Sequence, residues 1–328
     1  MRASQISFSR ALVTGGAGFI GSHLVDALME REVEVTVLDN LSGGRLSNIS
    51  AWLKNPRFRF LMGDMLNQHD IKEALEGCEI VFHLAANPDV RVGALNTRID
   101  YEQNILATYN LLEVMRETGE CRRIVFTSTS TVYGEAEKIP TPEDYGPLKP
   151  ISLYGASKLA CEALISGYSH LFGFKSVICR LANIVGSRSG HGVIYDFINK
   201  LMENPNRLEI LGDGRQRKSY LYVRDCVEAM LTAAEGAKGQ VEIYNIGSED
   251  TVDVTSIANI IIEEMGLRNV EIYYTGGVEG GRGWRGDVKV MLLDITRIKG
   301  LGWRPKLNSA EAVRQAARDI IAERGRLQ

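Results

Sequence analysis

The chain has 328 residues, 45% of them hydrophobic and 24% charged, with a formal net charge of −3. That balance excludes a disordered chain, which cannot bury enough apolar surface to offset its ordering entropy. It also excludes a broad basic field for nucleic acid or an anionic membrane. At this length one large domain or two joined ones is expected. The 33 glycines exceed a usual share of roughly 7% and have no collagen period, so they mark turns and close backbone approaches.

Cys78, Cys121, Cys161, Cys179 and Cys226 show no Cys-x-x-Cys pair and no ligand spacing. No metal is expected, and a reducing cytoplasm suits them better than a disulfide framework. Met1 to Arg10 lacks a signal-peptide core, and no run nears the ~18 apolar residues of a membrane span.

In chain order, apolar runs at Ala11–Thr14, Val33–Leu38, Phe58–Met62, Ile80–Leu84, Ile124–Ser128 and Ser176–Arg180 predict strands. They lack strict alternation, as expected for strands buried on both faces of a parallel sheet. Helical patterns at Ile20–Arg31, Gln68–Glu76, Asn104–Glu117 and Leu153–Phe172 fall between them. Alternating elements of this kind predict an α/β, Rossmann-type doubly wound parallel sheet over residues 1–185. Beyond it, helices at Val193–Glu203, Val223–Ala234, Val254–Met265 and Ser309–Glu323 form a smaller α/β C-terminal substrate lobe, residues 186–328. The chain is expected to cross back to the first domain around 219–246, and Thr275–Asp287 to be a surface loop.

The run Ala11-Leu-Val-Thr-Gly15-Gly-Ala-Gly18-Phe-Ile-Gly21 follows a strand and opens a helix. Gly15 allows the tight turn, Gly18 lets a pyrophosphate approach the backbone, and Gly21 lets helix pack on strand. Asp39 ends the next strand, where a carboxylate accepts ribose hydroxyls and repels a 2′-phosphate, which favours NAD over NADP. Its other reading is a turn cap. Asp64 ends the third strand with an adenine contact or a helix cap in prospect. His83, before Leu84, Ala85 and Ala86, reads as a packed core histidine.

Tyr154 and Lys158 form a Tyr-x-x-x-Lys pair on one helix face. An ammonium beside a phenol favours phenolate, as a base near neutral pH requires. The hydroxyl-rich run Thr127-Ser128-Thr129-Ser130-Thr131 closes the fifth strand, at the carboxyl end where such sheets bind ligands.

These segments, with Arg180–Asn183 and Leu211–Asp225, resemble the extended short-chain dehydrogenase/reductase family, and within it the nucleotide-sugar 4-epimerases. The resemblance implies Tyr154 as general base at the sugar 4-hydroxyl, Lys158 on the nicotinamide ribose, and Thr129 on the same sugar oxygen. It implies NAD contacts at the glycine turn with Phe19 and Ile20, at Asn40, Ser42 and Gly43, at Asp64 and Met65, at Leu84–Ala86, and at Asn104. Substrate contacts are implied at Ser128, Asn183, Val193, Lys218 and Tyr220. Lys218 stands where the family places a diphosphate-binding arginine. In Gly281-Arg282-Gly-Trp284-Arg285-Gly-Asp287 the family's arginine slot, three residues before the Asp, holds Trp284. Arg282 or Arg285 is then the phosphate ligand, and Trp284 either stacks on uracil or packs the lobe. Related 4,6-dehydratases carry Asp-Glu after the active-site Thr. Ser130 and Thr131 stand there instead, which disfavours dehydration.

The expected partner is a UDP-sugar, with UDP-glucose and UDP-galactose first. A UDP-glucuronate 4-epimerase or decarboxylase is the alternative, for which Arg91 or Ser130 would meet the carboxylate. A non-catalytic NAD-sensing protein lies outside both. The resemblance also implies a homodimer through the helices at Asn104–Glu117 and Leu153–Phe172.

Overall fold

A computed structural model describes residues 6–87 and 92–325. Strands β1 (Arg10–Thr14), β2 (Glu34–Asp39), β3 (Phe58–Met62), β4 (Ile80–His83), β5 (Arg123–Thr129) and β6 (Lys175–Leu181) are joined by a late strand, Val241–Ile246. Together they form one seven-stranded sheet in the order Val241–Ile246, β6, β5, β4, β1, β2, β3. The β1–β2, β1–β4, β2–β3 and β4–β5 pairs are parallel. This is the Rossmann-type sheet that the unalternated apolar runs predict, and β4 and the end of β5 are buried along their length.

Helices α1 (Phe19–Glu30), α2 (Gln68–Leu75), α3 (Ala107–Thr118) and α4 (Leu153–Phe172) make the crossovers. Their apolar faces and the sheet share a core that includes Leu12, Val81, Leu111, Ile124, Phe126, Cys161 and Ile165. The pattern at Asn104–Glu117 divides in the structure. Tyr101–Leu106 winds as a π-helix, and α-helical hydrogen bonding begins only at Ala107. Such insertions re-aim the side chains of one turn, and Asn104 is buried there.

The chain separates into two compact units. One comprises the described residues among 1–132, 153–180 and 230–244; the other comprises those among 133–152, 181–229 and 245–328. The return of 230–244 carries most of the last sheet strand, and 133–152 leaves the first unit just after β5. That excursion is secured in the second unit by buried polar groups. Tyr133 Oη donates to Asn245 Oδ1 at 2.7 Å, and Asn245 N donates to Glu143 Oε1 at 2.9 Å. Burial pushes the Glu143 carboxyl up. The second unit has its own core, including Phe197, Ile198, Leu208, Ile257, Ile261 and Ala316. The loop predicted at Thr275–Asp287 carries a single isolated bridge, Val278 to Arg282. All five cysteines are free and buried, and no metal-binding group occurs among the described residues. No described helix is long and apolar enough to cross a membrane.

Candidate active site

The β1–α1 turn is built by close backbone contact. Gly15 has φ +69°, and a Cβ there would lie 2.8 Å from Ala85 N. A Cβ on Gly21 would lie 2.2 Å from Gly15 O, so the first turn of α1 reaches the strand only with glycine at that position. Gly18 caps α1 with extended backbone and no side-chain cap, and no acidic residue occupies the first turn. The N–H groups that open the helix at Phe19 and Ile20 are thus left for an anion.

Asp39 ends β2 and is 8% exposed. Oδ2 accepts from Ala17 N at 2.9 Å and Oδ1 from Leu41 N at 2.8 Å. The turn-capping role is therefore present, and each oxygen keeps a lone pair for a hydroxyl donor. Asp64 caps no helix, because the cap of α2 is Asn67. Asp64 instead accepts from Leu66 N at 2.8 Å and from Asn40 Nδ2 at 3.1 Å, while Asn40 Oδ1 receives Ser42 N. The strand ends beside the glycine turn are thus tied together by polar side chains. Met65 packs in the core, and Gly43 stands in open space. The donor set (a glycine turn, an uncapped helix start and a buried carboxylate at the next strand end) fits a dinucleotide.

His83 closes β4 deep in this unit. Thr14 Oγ1 accepts from Leu84 N and Ala85 N, so its own proton points to His83 Nδ1, 2.8 Å away. Nε2 then carries the ring proton and donates to Thr108 Oγ1 at 3.0 Å, which donates on to Cys161 Sγ. Desolvation, then the charge of Lys158, drive the imidazole pKa down to about 3. It is a neutral core histidine.

Helix α4 brings Tyr154 and Lys158 one turn apart, with the Lys158 ammonium 6.0 Å from the Tyr154 ring centre. Lys158 Nζ donates to Thr127 O at 3.0 Å and sits 4.8 Å from the Phe126 ring centre. Burial lowers its pKa to about 8, opposed by the charges of Cys161, Asp100 and Glu162. The Tyr154 phenol is pushed up instead, first by burial and then by the Asp100 carboxylate. In the protein alone every resolved influence on the phenol raises its pKa, and the expected depression by Lys158 is not among them. Thr129 ends β5 at 8% exposure, with its Oγ1 3.1 Å from Thr131 Oγ1.

Asn104 is tied into the fold by both ends of its amide. Its Nδ2 donates to Ser157 Oγ at 2.8 Å and its Oδ1 accepts from Asn87 N at 2.9 Å. Ser128 likewise points its hydroxyl at Glu162, one turn beyond Lys158 on α4. Glu162 is paired with Arg180 of β6 at 2.7 Å, with side chains 6% and 4% exposed. Sequence reading passed over Glu162. Its only trace is an acid four residues after Lys158, on the helix face that the pattern buries.

In the second unit, Asn183 opens a short strand whose register pairs it with buried Tyr220. Lys218 Nζ lies 2.5 Å from Asp287 Oδ1 and 5.6 Å from the Trp284 ring centre. Arg282 Nη1 donates to Asp287 O and meets Glu135 Oε1, each at 2.6 Å. Arg285 does not join them; it is 86% exposed beside Glu279. Val193 opens the helix Val193–Glu203 and packs against the second core. Arg91 lies outside the described residues.

A dinucleotide turn, a Tyr-x-x-x-Lys helix and a hydroxyl-ended strand on one parallel sheet define an extended short-chain dehydrogenase/reductase. The NAD dependent epimerase/dehydratase family pattern matches residues 11–247, and the chain belongs to that family. It is 37% identical over 310 residues to a Methanocaldococcus jannaschii protein provisionally named UDP-glucose 4-epimerase, covering 93% of this chain and 96% of that one. A solved UDP-galactose 4-epimerase is 47% identical with a TM-score of 0.85, over 96% of this chain and 99% of that one. UDP-glucuronic acid decarboxylase 5 of Arabidopsis thaliana is 32% identical over 93% of this chain and 87% of its own length.

Proposed function

We propose that the chain is an NAD-dependent UDP-sugar 4-epimerase that interconverts UDP-glucose and UDP-galactose through a 4-keto sugar. The carrying observation is the composition of the β5 end beside α4. Tyr154 and Lys158 stand with Thr129, and the two positions after Thr129 hold Ser130 and Thr131 where an acid–base pair for removing water would need carboxylates, so the site has a proton acceptor for one hydroxyl and no such pair there. NAD held at the glycine turn and Asp39 supplies a hydride acceptor and donor at sugar C4.

Tyr154 takes the proton of the 4-hydroxyl as the carbonyl forms and returns it when the alcohol is restored. Lys158, with a pKa near 8, is mostly charged at neutral pH, and its ammonium favours the phenolate that burial and Asp100 oppose. Thr129 donates to the same sugar oxygen, and in the second unit Lys218 and Asn183 bind the diphosphate. Tyr109, Leu171 and Phe172 are exposed on α3 and α4 and support a homodimer through these helices.

The test is a product survey with UDP-glucose, UDP-galactose and UDP-glucuronate in the presence of NAD. Appearance of the C4 epimer of either hexose supports the reading, and its absence with all three rejects it. Release of CO₂ from UDP-glucuronate marks the second reading, which the 32% likeness to a decarboxylase favours.

A further inference from the structure

The cations of the second unit's anion group are already matched. Lys218 lies 2.5 Å from Asp287, Arg282 lies 2.6 Å from Glu135, and Arg285 is turned out to Glu279. Each of these three cations therefore faces a carboxylate, while Lys289 beside them reaches the Gly280 carbonyl. Two buried donors there have no acceptor, the indole Nε1 of Trp284 and the amide Nδ2 of Asn183. Buried polar groups in folded proteins are nearly always paired, so each of these donors calls for an acceptor from outside the fold.

Lys218 Nζ is 5.6 Å from the Trp284 ring centre. The next residue, Ser219, accepts Asn183 N through its carbonyl at 3.2 Å. Gln216 adds an orphaned acceptor, Oε1, with its Nε2 bound to Gly281 O at 3.2 Å. Gly283 N donates to Asp287 Oδ2 at 3.2 Å, which holds the loop carrying Trp284 against the Lys218 partner.

We infer that Trp284 is a substrate-binding residue whose indole N–H donates to a diphosphate oxygen of the nucleotide sugar. The inference rests on the nucleotide-sugar reading and adds its mode of recognition. Trp284 fills the slot where the resemblance places an arginine, so a neutral donor replaces a cation. Its ring also carries the Lys218 ammonium on its face. A hydrogen bond to an ionised acceptor in a buried setting keeps much of its strength without net charge. Recognition by fixed dipoles and pre-paired cations depends less on salt than recognition by free arginines, since fewer unscreened charges meet.

The experiment is calorimetric titration of UDP into the full chain with NAD present. The set is the unsubstituted protein, Trp284→Phe and Trp284→Arg, each at low and high salt. Trp284→Phe keeps an aromatic face for Lys218 and loses only the donor; its UDP Kd should rise about ten- to a hundredfold. Trp284→Arg should regain most of the affinity and show a steeper salt dependence. An unchanged thermal unfolding midpoint reports that the substituted unit stays folded, and Asn183→Leu provides an independent loss of the second donor. A Trp284→Phe protein that binds UDP within twofold of the unsubstituted chain overturns the role given to Trp284. No UDP binding by the unsubstituted chain overturns the nucleotide-sugar reading itself, and this role with it.

Discussion

Lys158 is held at a cost to stability that its removal should reveal. The residue is 2% exposed, with the side chain packed between Phe126 and Tyr154 and one hydrogen bond to Thr127 O. A fall in pKa from 10.5 to about 8 corresponds to roughly 3 kcal/mol favouring the neutral form in the folded protein. The native state therefore binds fewer protons than the unfolded chain between pH 8 and 10.5. The destabilisation is fully present below pH 8 and fades as pH rises toward 10.5. Lys158→Met keeps the volume and removes the charge. Allowing about 1 kcal/mol for the lost hydrogen bond, the variant should be about 2 kcal/mol more stable than its parent at pH 7. Its advantage should all but vanish at pH 10. Urea unfolding followed by circular dichroism at the two pH values measures both. A variant less stable at pH 7, or a difference that ignores pH, would refute the reasoning. The same variant should lose at least a hundredfold in turnover, as expected where a site stores strain for chemistry.

Tyr154→Phe removes the proton acceptor and leaves the ring; kcat for epimer formation should fall by about 10³-fold or more, with NAD still bound in equilibrium dialysis. Glu162→Ala leaves Arg180 buried without its partner and should cost about 3–5 kcal/mol in denaturant unfolding. The double change of Glu162 and Arg180 to Met should recover most of that, and equal losses in both proteins would contradict a buried pair. Gly21→Ala forces a Cβ to 2.2 Å from Gly15 O, so NAD binding should weaken at least tenfold. Gly43→Ala, with nothing within 4 Å, should leave it unchanged in the same fluorescence titration.

The parallel sheet and its crossovers were legible because they rest on local pattern. Apolar runs without alternation mark strands buried on both faces, and the helices at Leu153–Phe172 and Val193–Glu203 run to the residues that the periodicity marks. The π turn at Tyr101–Leu106 was not legible, since side-chain periodicity reports a helical face and not which carbonyl each N–H meets. The excursion of 133–152 into the second unit has no local signal either, as it depends on Asn245 more than a hundred residues away.

By itself the sequence determined the alternation of strand and helix, the glycine turn, and the placing of Tyr154 and Lys158 on one face. Spacing along the chain sets each of these. Only the tertiary structure decided protonation and pairing. It buried Lys158 and held His83 neutral, aimed Ser128 at the Glu162–Arg180 pair, and matched Lys218 with Asp287 while leaving Trp284 Nε1 without an acceptor. Desolvation and ion pairing depend on which distant segments exclude water from a group, and that is settled only when the chain has folded.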